Sequence, residues 1–399
     1  MQRTDVKHSA FWVRDYNKKK LYNLIRRHVG ISRSELTRMI DLTPTSVGKI
    51  IAALIEDGLV SECGLAADGK IGRNAIQLNI VPEKVLTMAI EIDVGIIRGG
   101  VLDIGQQVVT SYSTSISESQ PLEEVTQLLA DIIGTLYQRL TPEQQDNLIG
   151  LGIAVPGYVD RKNGVIRQSP QLNWKNYPLM EQLQRLLPRP LPVLIENNVK
   201  AEAMAELIYG TADKRQNALI IDVGSGVGAA YISRGRVQTG KHNAMGELGH
   251  ILVGSNGVRC SCGRYGCLRT HIARTSIEER TGMDFPSCVA AAKSGNHLCT
   301  EVLTEAAHYA AVWIANCVNL YDPEVIYLGG TLQEDWPEFF TQVKEEYKQY
   351  IWEAVRDEQY LLERTYVCAS KNNLILSASI MFYQYLMTGV MIDEELIHS

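Results

Sequence analysis

Four side chains of metal-binding type fall close together in this chain: His250, within Gly246-Glu247-Leu248-Gly249-His250, and then Cys260, Cys262 and Cys267 in a Cys-x-Cys-x4-Cys run. Three soft thiolates and one imidazole suit a closed tetrahedral zinc site. Gly263 and Gly266, between the last cysteines, permit the tight turns that wrapping one ion demands. Free thiols or a disulfide pair are the alternatives, and the cytosolic character of the chain argues against the disulfide. With every position supplied by protein, none is left for an activated water. The zinc is therefore expected to be structural, with the function lying elsewhere.

Three glycine-bearing strand exits are the next candidates for chemistry: Asp222-Val223-Gly224-Ser225-Gly226-Val227-Gly228, Leu328-Gly329-Gly330-Thr331 and Asp93-Val94-Gly95-Ile96-Ile97. Each could bring backbone amides up to a phosphate or a sugar hydroxyl. Singly, each is more often a structural turn, and their order along the chain is what makes them informative.

These exits must be positioned by strands alternating with helices. Strand-like segments run from Val85 to Asp93, from Gly99 to Asp103 before a Gly105 turn, and at 148–155, 193–195, 218–223 and 325–328. Helical patterns cover 122–140, 199–209 and 301–320. The helices at 301–320 and 374–388, rich in Ala, Leu and Met, suit the core by default and a subunit interface otherwise. The part after Pro82 is thus α/β and long enough for two lobes.

The first 80 residues read differently. Leu21, Leu24, Ile25 and Val29 lie at helical spacing; Ser32-Arg33-Ser34-Glu35 reads as a capping box opening a second helix with Leu36, Met39 and Ile40 on its apolar face. Thr43 is the expected N-cap and Pro44 the first residue of a third helix, with Val47, Ile50, Ile51, Leu54 and Ile55 as its buried stripe, ending at Gly58. Two short strands, Leu59–Glu62 and Ala75–Ile80, then flank a glycine-rich tip carrying Lys70 and Arg73. This is a winged helix-turn-helix pattern. Thr45, Ser46 and Lys49 face away from the stripe at the end of the third helix that enters a major groove in this motif, and Arg33, Thr43 and the wing cations Lys70 and Arg73 join them as expected DNA contacts. A small docking module with a solvated charged face is the alternative.

Charge agrees with that division. Residues 1–80 hold 13 Lys and Arg against 8 Asp and Glu, a net of +5, within a 399-residue chain of net −6, so the remainder is at −11. An acidic protein with a basic head is expected to meet nucleic acid through the head alone. No apolar run approaches membrane-spanning length and the N-terminus does not open as a signal peptide, so a cytoplasmic protein without membrane insertion is expected. Cys63, Cys288, Cys299, Cys317 and Cys368 suit small buried hydrophobes.

The winged helix, the Asp-x-Gly exit at 93, Val155-Pro156-Gly157-Tyr158-Val159-Asp160, Glu196-Asn197-Asn198, the Gly-Ser-Gly exit, Gly-Glu-x-Gly-His and the cysteine run come in the order of the ROK family of repressors and sugar kinases, which the chain resembles from about residue 15 nearly to its end. The resemblance implies an α/β fold in which an N-terminal winged helix-turn-helix (1–81) precedes a two-lobed, actin-like or hexokinase-like (ribonuclease H-like) body. Its small lobe would span 82–196, completed by a C-terminal helix at about 385–399, and its large lobe, with the zinc site, 197–384. Members with such a head resemble the glucose, N-acetylglucosamine and xylose repressors, which bind double-stranded operator DNA as dimers or tetramers. The resemblance assigns Asn197, Asn198, Glu247 and His250 to a sugar pocket, His250 also being a metal ligand.

Departures from the family pattern separate repressor from kinase. The kinases carry Glu-Asn-Asp, with the Asp as base; here Asn198 stands at that position, and an amide cannot take a proton from a hydroxyl at neutral pH. Where the kinases have Asp-x-Gly-Gly-Thr, Ile96 and Ile97 replace the bare backbone and the hydroxyl, obstructing nucleotide and offering no donor. Ser169-Pro170-Gln171 replaces Ser-Pro-Asn, and Arg269 replaces a Glu, which favours an anionic ligand such as a sugar phosphate or closes the pocket by pairing with Glu247. The expected protein is a non-enzymatic transcriptional repressor of carbohydrate metabolism or transport genes, homodimeric or homotetrameric, answering to a sugar or sugar-phosphate effector. The alternatives are an active sugar kinase with an added DNA-binding head, for which Asp222 or Asp93 would replace the base, and a repressor controlled by a regulatory protein partner.

Overall fold

A computed structural model describes residues 10–65, 76–117, 120–212, 215, 217–254, 257–330, 332–355, 361–365 and 374–387. Lys70, Arg73 and Cys368 lie outside the described residues.

The head forms from local signals. Its first helix is Ala10–Arg27, the second Arg33–Met39 and the third Pro44–Glu56. The second carries the full capping box, Ser32 Oγ accepting from the Glu35 amide while Glu35 reaches back to the Ser32 amide. Thr43 caps the third, with Pro44 where a missing N–H costs nothing. Leu21, Ile25, Leu36, Val47, Ile51 and Leu54 fill the core between the helices. Two expected members of the apolar faces do not take part: Val29 lies beyond the end of the first helix and is 84% exposed, and Met39 is 46% exposed. The strands Val60–Leu65 and Ile76–Ile80 pair antiparallel, with Ile31–Ser32 on the far edge of Ile76–Ile80, so the described part of the wing is a three-stranded sheet.

The body holds two five-stranded sheets of one plan. In the first, Val108–Ser115, Ile96–Asp103, Leu86–Asp93, Leu148–Val155 and Val193–Asn197 lie side by side in that order; in the second the order is Arg236–Gln238, Val227–Ser233, Asn217–Val223, Val325–Gly329 and Leu361–Arg364. In both, chain order across the sheet is third, second, first, fourth, fifth, with two antiparallel pairings followed by two parallel ones. The central parallel strands Leu148–Val155 and Val325–Gly329 are apolar throughout because helices cover them: Leu122–Gln138 packs on the first sheet and His297–Tyr321 on the second. A small antiparallel sheet, Tyr158–Asp160, Val165–Ser169 and Trp174–Tyr177, extends from the first.

The C-terminal segment is described as far as Met387, so the helix expected at about 385–399 lies mostly outside the described residues. Its described helix is Leu374–Met387, and it lies on the first sheet from its beginning: Ser377 Oγ donates to the Ile90 carbonyl at 2.6 Å, and a Cβ added at Gly152 would stand 2.1 Å from the Ser377 carbonyl. The same helix touches the head, its Tyr385 ring meeting Tyr22 edge-on at 6.4 Å, so that one apolar cluster runs from the head into the body. No helix among the described residues is long and apolar enough to cross a membrane.

Candidate functional site

Parallel pairing brings the strand exits to one end of each sheet. Asn197 pairs with Val155 in the first, and Asp222 with Gly329 in the second, so Pro156-Gly157, Asn197-Asn198 and the Asp222–Gly228 turn open toward one cleft of about 360 Å³. Gly224 donates to the Gly226 carbonyl across that turn, and Gly330, at φ +96°, lies so close to the Val223 backbone that a Cβ would stand 2.2 Å from its carbonyl oxygen. Only glycine fits there.

The wall opposite is the Gly-Glu-x-Gly-His loop. Gly246, at φ +99°, and Gly249 press on the strand Val227–Ser233; added Cβ atoms would come within 1.9 Å of the Ala229 carbonyl oxygen and 2.3 Å of that of Val227. This contact fixes where Glu247 and His250 face the cleft. Burial pushes the Glu247 carboxyl above the usual range, against the opposing pull of Lys200 and Arg269.

His250, Cys260, Cys262 and Cys267 bring one donor atom each to within 4.8 Å of the others. Cys260 Sγ stands 3.5 Å from His250 Nδ1 and Cys262 Sγ 3.6 Å from Cys267 Sγ. Donors about 2.1–2.3 Å from a tetrahedral zinc stand roughly 3.5–3.8 Å apart, so the residues present fit that ion. Gly263 and Gly266 take positive φ, as the wrapping turns require. Burial, then the Arg269 and Arg264 guanidiniums, hold His250 below its ordinary pKa and favour the neutral imidazole that binds metal. The described cysteines are all free thiols; Cys288, Cys299 and Cys317 are buried, whereas Cys63 is only half-buried.

The expected pocket residues divide in what they do. Asn198 is the first residue of the helix Asn198–Ile208 and lines the cleft. Asn197 also lines it, but its side chain works for the fold: Oδ1 caps the helix through the Val199 and Lys200 amides at 2.9 and 3.3 Å, and Nδ2 donates to the Gly157 carbonyl at 2.9 Å. Arg269 lines the cleft while donating to Ser261 Oγ at 2.6 Å. Gln171 reaches across to the Gly226 turn and keeps a buried Oε1 without a hydrogen-bond partner. Ile96 and Ile97 lie on a strand entered by the tight Val94-Gly95 turn. Ile97 is wholly buried in the first lobe's core, so its side chain withholds a donor and does not obstruct the cleft, contrary to expectation.

Two groups that sequence reasoning passed over or held in reserve stand in the same cleft. Lys200 is 2% exposed, its Nζ donating to the Asn243 carbonyl, and burial lowers its pKa against the pull of Glu196 and Glu247. Asp222 is pushed up to about 7, first by burial and then by the Asp93 carboxylate. Behind it Glu202 is raised well above the usual range by burial and by Asp222, and sits beneath Gly329. No signal in its own segment, which also carries Glu202 and Glu206, marked Lys200 as buried.

On the head, Thr45 and Lys49 are exposed on the third helix. Thr43 and Ser46 hydroxyls lie 2.9 Å apart in the cap, and Arg33 Nη2 donates to Glu62 Oε1 at 2.8 Å, tying the second helix to the wing.

Comparison with known proteins places these features. A family model described as "ROK family" matches residues 87–372, and one described as "Winged helix-turn-helix DNA-binding" matches 14–61. The chain is 29% identical over 343 residues to the DNA-binding transcriptional dual regulator NagC of Escherichia coli K12, covering 81% of this chain and 82% of that one. It is 27% identical over 318 residues to the xylose repressor of Caldicellulosiruptor bescii, covering 75% and 79%. Among solved structures, a ROK family transcriptional regulator described as a homolog of the E. coli MLC protein superposes with TM-score 0.78 at 25% identity, covering 97% of this chain and all of that one. The ROK hexokinase of Thermus thermophilus superposes with TM-score 0.61 at 26% identity, covering 74% and 97%.

Proposed function

The chain belongs to the ROK family, and from that premise we propose that it is a DNA-binding transcriptional regulator, acting as a repressor of carbohydrate metabolism or transport genes, whose DNA affinity is set by a ligand in a kinase-type cleft that no longer phosphorylates. The observation that carries this reading is a winged helix-turn-helix head on a sugar-kinase body with Asn198, an amide, lining the cleft. A general base typically contributes about 10²–10⁴ in rate, and an amide supplies none of it. Sugar binding needs only hydrogen-bond partners, and Glu247, Asn198 and His250 supply them in the cleft. The head would read base edges with Thr45 and engage phosphates through Lys49, with Arg33, Thr43, Ser46 and the wing cations supporting the approach.

His250, Cys260, Cys262 and Cys267 would hold one structural zinc, which when bound pins the Cys260–Cys267 loop to the wall carrying Glu247. The effector would be a sugar or a sugar phosphate. Arg269 and Lys200 offset Glu247 and admit an anionic group. Two half-sites on DNA call for a dimer or a dimer of dimers.

One observation favours the kinase alternative: Asp222, in the same cleft, has a pKa near the value of an effective base at neutral pH. A coupled ADP-release assay over hexoses, pentoses and N-acetylhexosamines, run beside Asn198→Asp, decides it. The regulator reading expects no turnover in the unmodified protein, with stabilisation by at least one of the sugars. Turnover near one per second would overturn it.

A further inference from the structure

The helix Asn198–Ile208 has its two ends in different functional regions. Its first turn lies in the cleft, capped by Asn197, with Asn198 and Lys200 on the lining. Its last turn is held by the head. Arg27 Nη2 donates to the Leu207 carbonyl and Arg26 Nη2 to the Ile208 carbonyl, both at 2.7 Å, and Arg26 also lies 5.5 Å from the centre of the Tyr209 ring. The last four carbonyls of a helix have no partner within it and carry the negative end of its dipole, so two guanidiniums from the head's first helix satisfy a need the body leaves open.

Between those ends the helix cannot yield sideways. Val199 through Ile208 are buried on every side, and Ala201, Ala203 and Ala205 let neighbouring elements close in. A close-packed helix of 11 residues, about 16 Å long, moves as a body instead of deforming.

We infer that this helix is the mechanical link between cleft and DNA head, with Lys200 as its input and Arg26 and Arg27 as its output. Lys200 is committed to the Asn243 carbonyl, whose own side chain donates to Glu196 Oε1 and to the Val159 carbonyl, both at 3.0 Å. A ligand hydroxyl, carboxylate or phosphate oxygen that draws Lys200 off Asn243 displaces the first turn. The same displacement moves the Leu207 and Ile208 carbonyls on which the head's first helix is seated, and so re-aims the third helix. The inference rests on the reading of the cleft as a ligand site. Its test does not need the ligand.

Amide hydrogen exchange is followed by mass spectrometry on the full chain in four forms: unmodified, Lys200→Met, Arg26→Ala with Arg27→Ala, and all three substitutions together. Lys200→Met is expected to speed exchange at least about threefold at 198–202 and also at 20–27 in the head; in the Arg26→Ala, Arg27→Ala background the effect at 20–27 disappears while that at 198–202 stays. The same Lys200 effect on the head in both backgrounds would overturn the inference, as would an effect confined to the cleft. Should Lys200→Met fail to fold, Lys200→Arg serves in the same comparison. Parallel samples with 10 mM xylose or N-acetylglucosamine, an amount on the order of ten times a typical weak sugar affinity, separate the two claims. Silence of the cleft toward both sugars counts against the sugar-ligand reading and leaves the Lys200 comparison to decide the link.

Discussion

Cys260 Sγ stands 3.5 Å from His250 Nδ1, and this separation ties the Cys260–Cys267 loop to the wall that carries Glu247. Purified protein is expected to contain about one zinc per chain, and Cys262→Ala to lose it. Because a large core surrounds the site, the loss should lower Tm by about 5 °C or more without unfolding the chain. Metal analysis with a melting curve checks this; a metal-free protein that melts at the same temperature as the loaded one would contradict it.

The head's contacts split by chemistry. Lys49→Ala should weaken binding to all duplexes alike and reduce the salt slope by about one unit, whereas Thr45→Ala should relax preference at one base position by about 1–3 kcal/mol. Anisotropy titrations from 50 to 200 mM salt, a span over which phosphate-contacting proteins lose about 10³–10⁵ in affinity, give both numbers. A Lys49→Ala protein with an unchanged slope would remove that residue from the interface.

Asp222 links stability to pH. Its folded pKa of about 7 lies above its ordinary value of 3.8, so the folded state keeps a proton that the unfolded chain has released. Its contribution to stability is therefore fully present below that ordinary value and is lost as pH rises through the folded one. Asp222→Asn removes the titration and should stabilise the protein at pH 8 by roughly 3–4 kcal/mol relative to its effect at pH 4. Urea midpoints at the two pH values measure it, and an equal effect at both would show that Asp222 does not titrate in this window.

Gly246→Ala should cost about 2–4 kcal/mol, because its Cβ would meet the Ala229 carbonyl oxygen at 1.9 Å in a backbone conformation that alanine resists. Sugar stabilisation should vanish with it, since the loop aims Glu247. A melting curve with and without sugar tests both; a variant that melts and responds normally would show that the loop has room to shift.

What was readable in the sequence follows from how local its causes are. The head's second and third helices were legible because the Ser32–Glu35 box and the Thr43-Pro44 start are complete within a few residues. Val29 and Met39 were misplaced because helical spacing continues past the point where the chain turns. The strand Val108–Ser115 was missed: it is an edge strand, exposed along most of its length, whose Thr, Ser and Tyr residues show no alternation. In the site, the metal ligands and Asn198 could be found by type and spacing. Asn197 could not be told from a ligand residue, since its capping role appears only once Gly157 is brought against it. Lys200 escaped notice because a lysine in a helix ordinarily marks a solvated face, and the seat of Arg26 and Arg27 on Leu207 and Ile208 joins residues some 180 positions apart.

The most direct measurement is the affinity of the 399-residue chain for a fluorescent operator duplex, titrated with each sugar or sugar phosphate that raises its melting temperature. At least one of these ligands is expected to weaken DNA binding by about tenfold or more at saturation, a coupling of roughly 1.4 kcal/mol. DNA affinity unchanged by every ligand that occupies the cleft would contradict it.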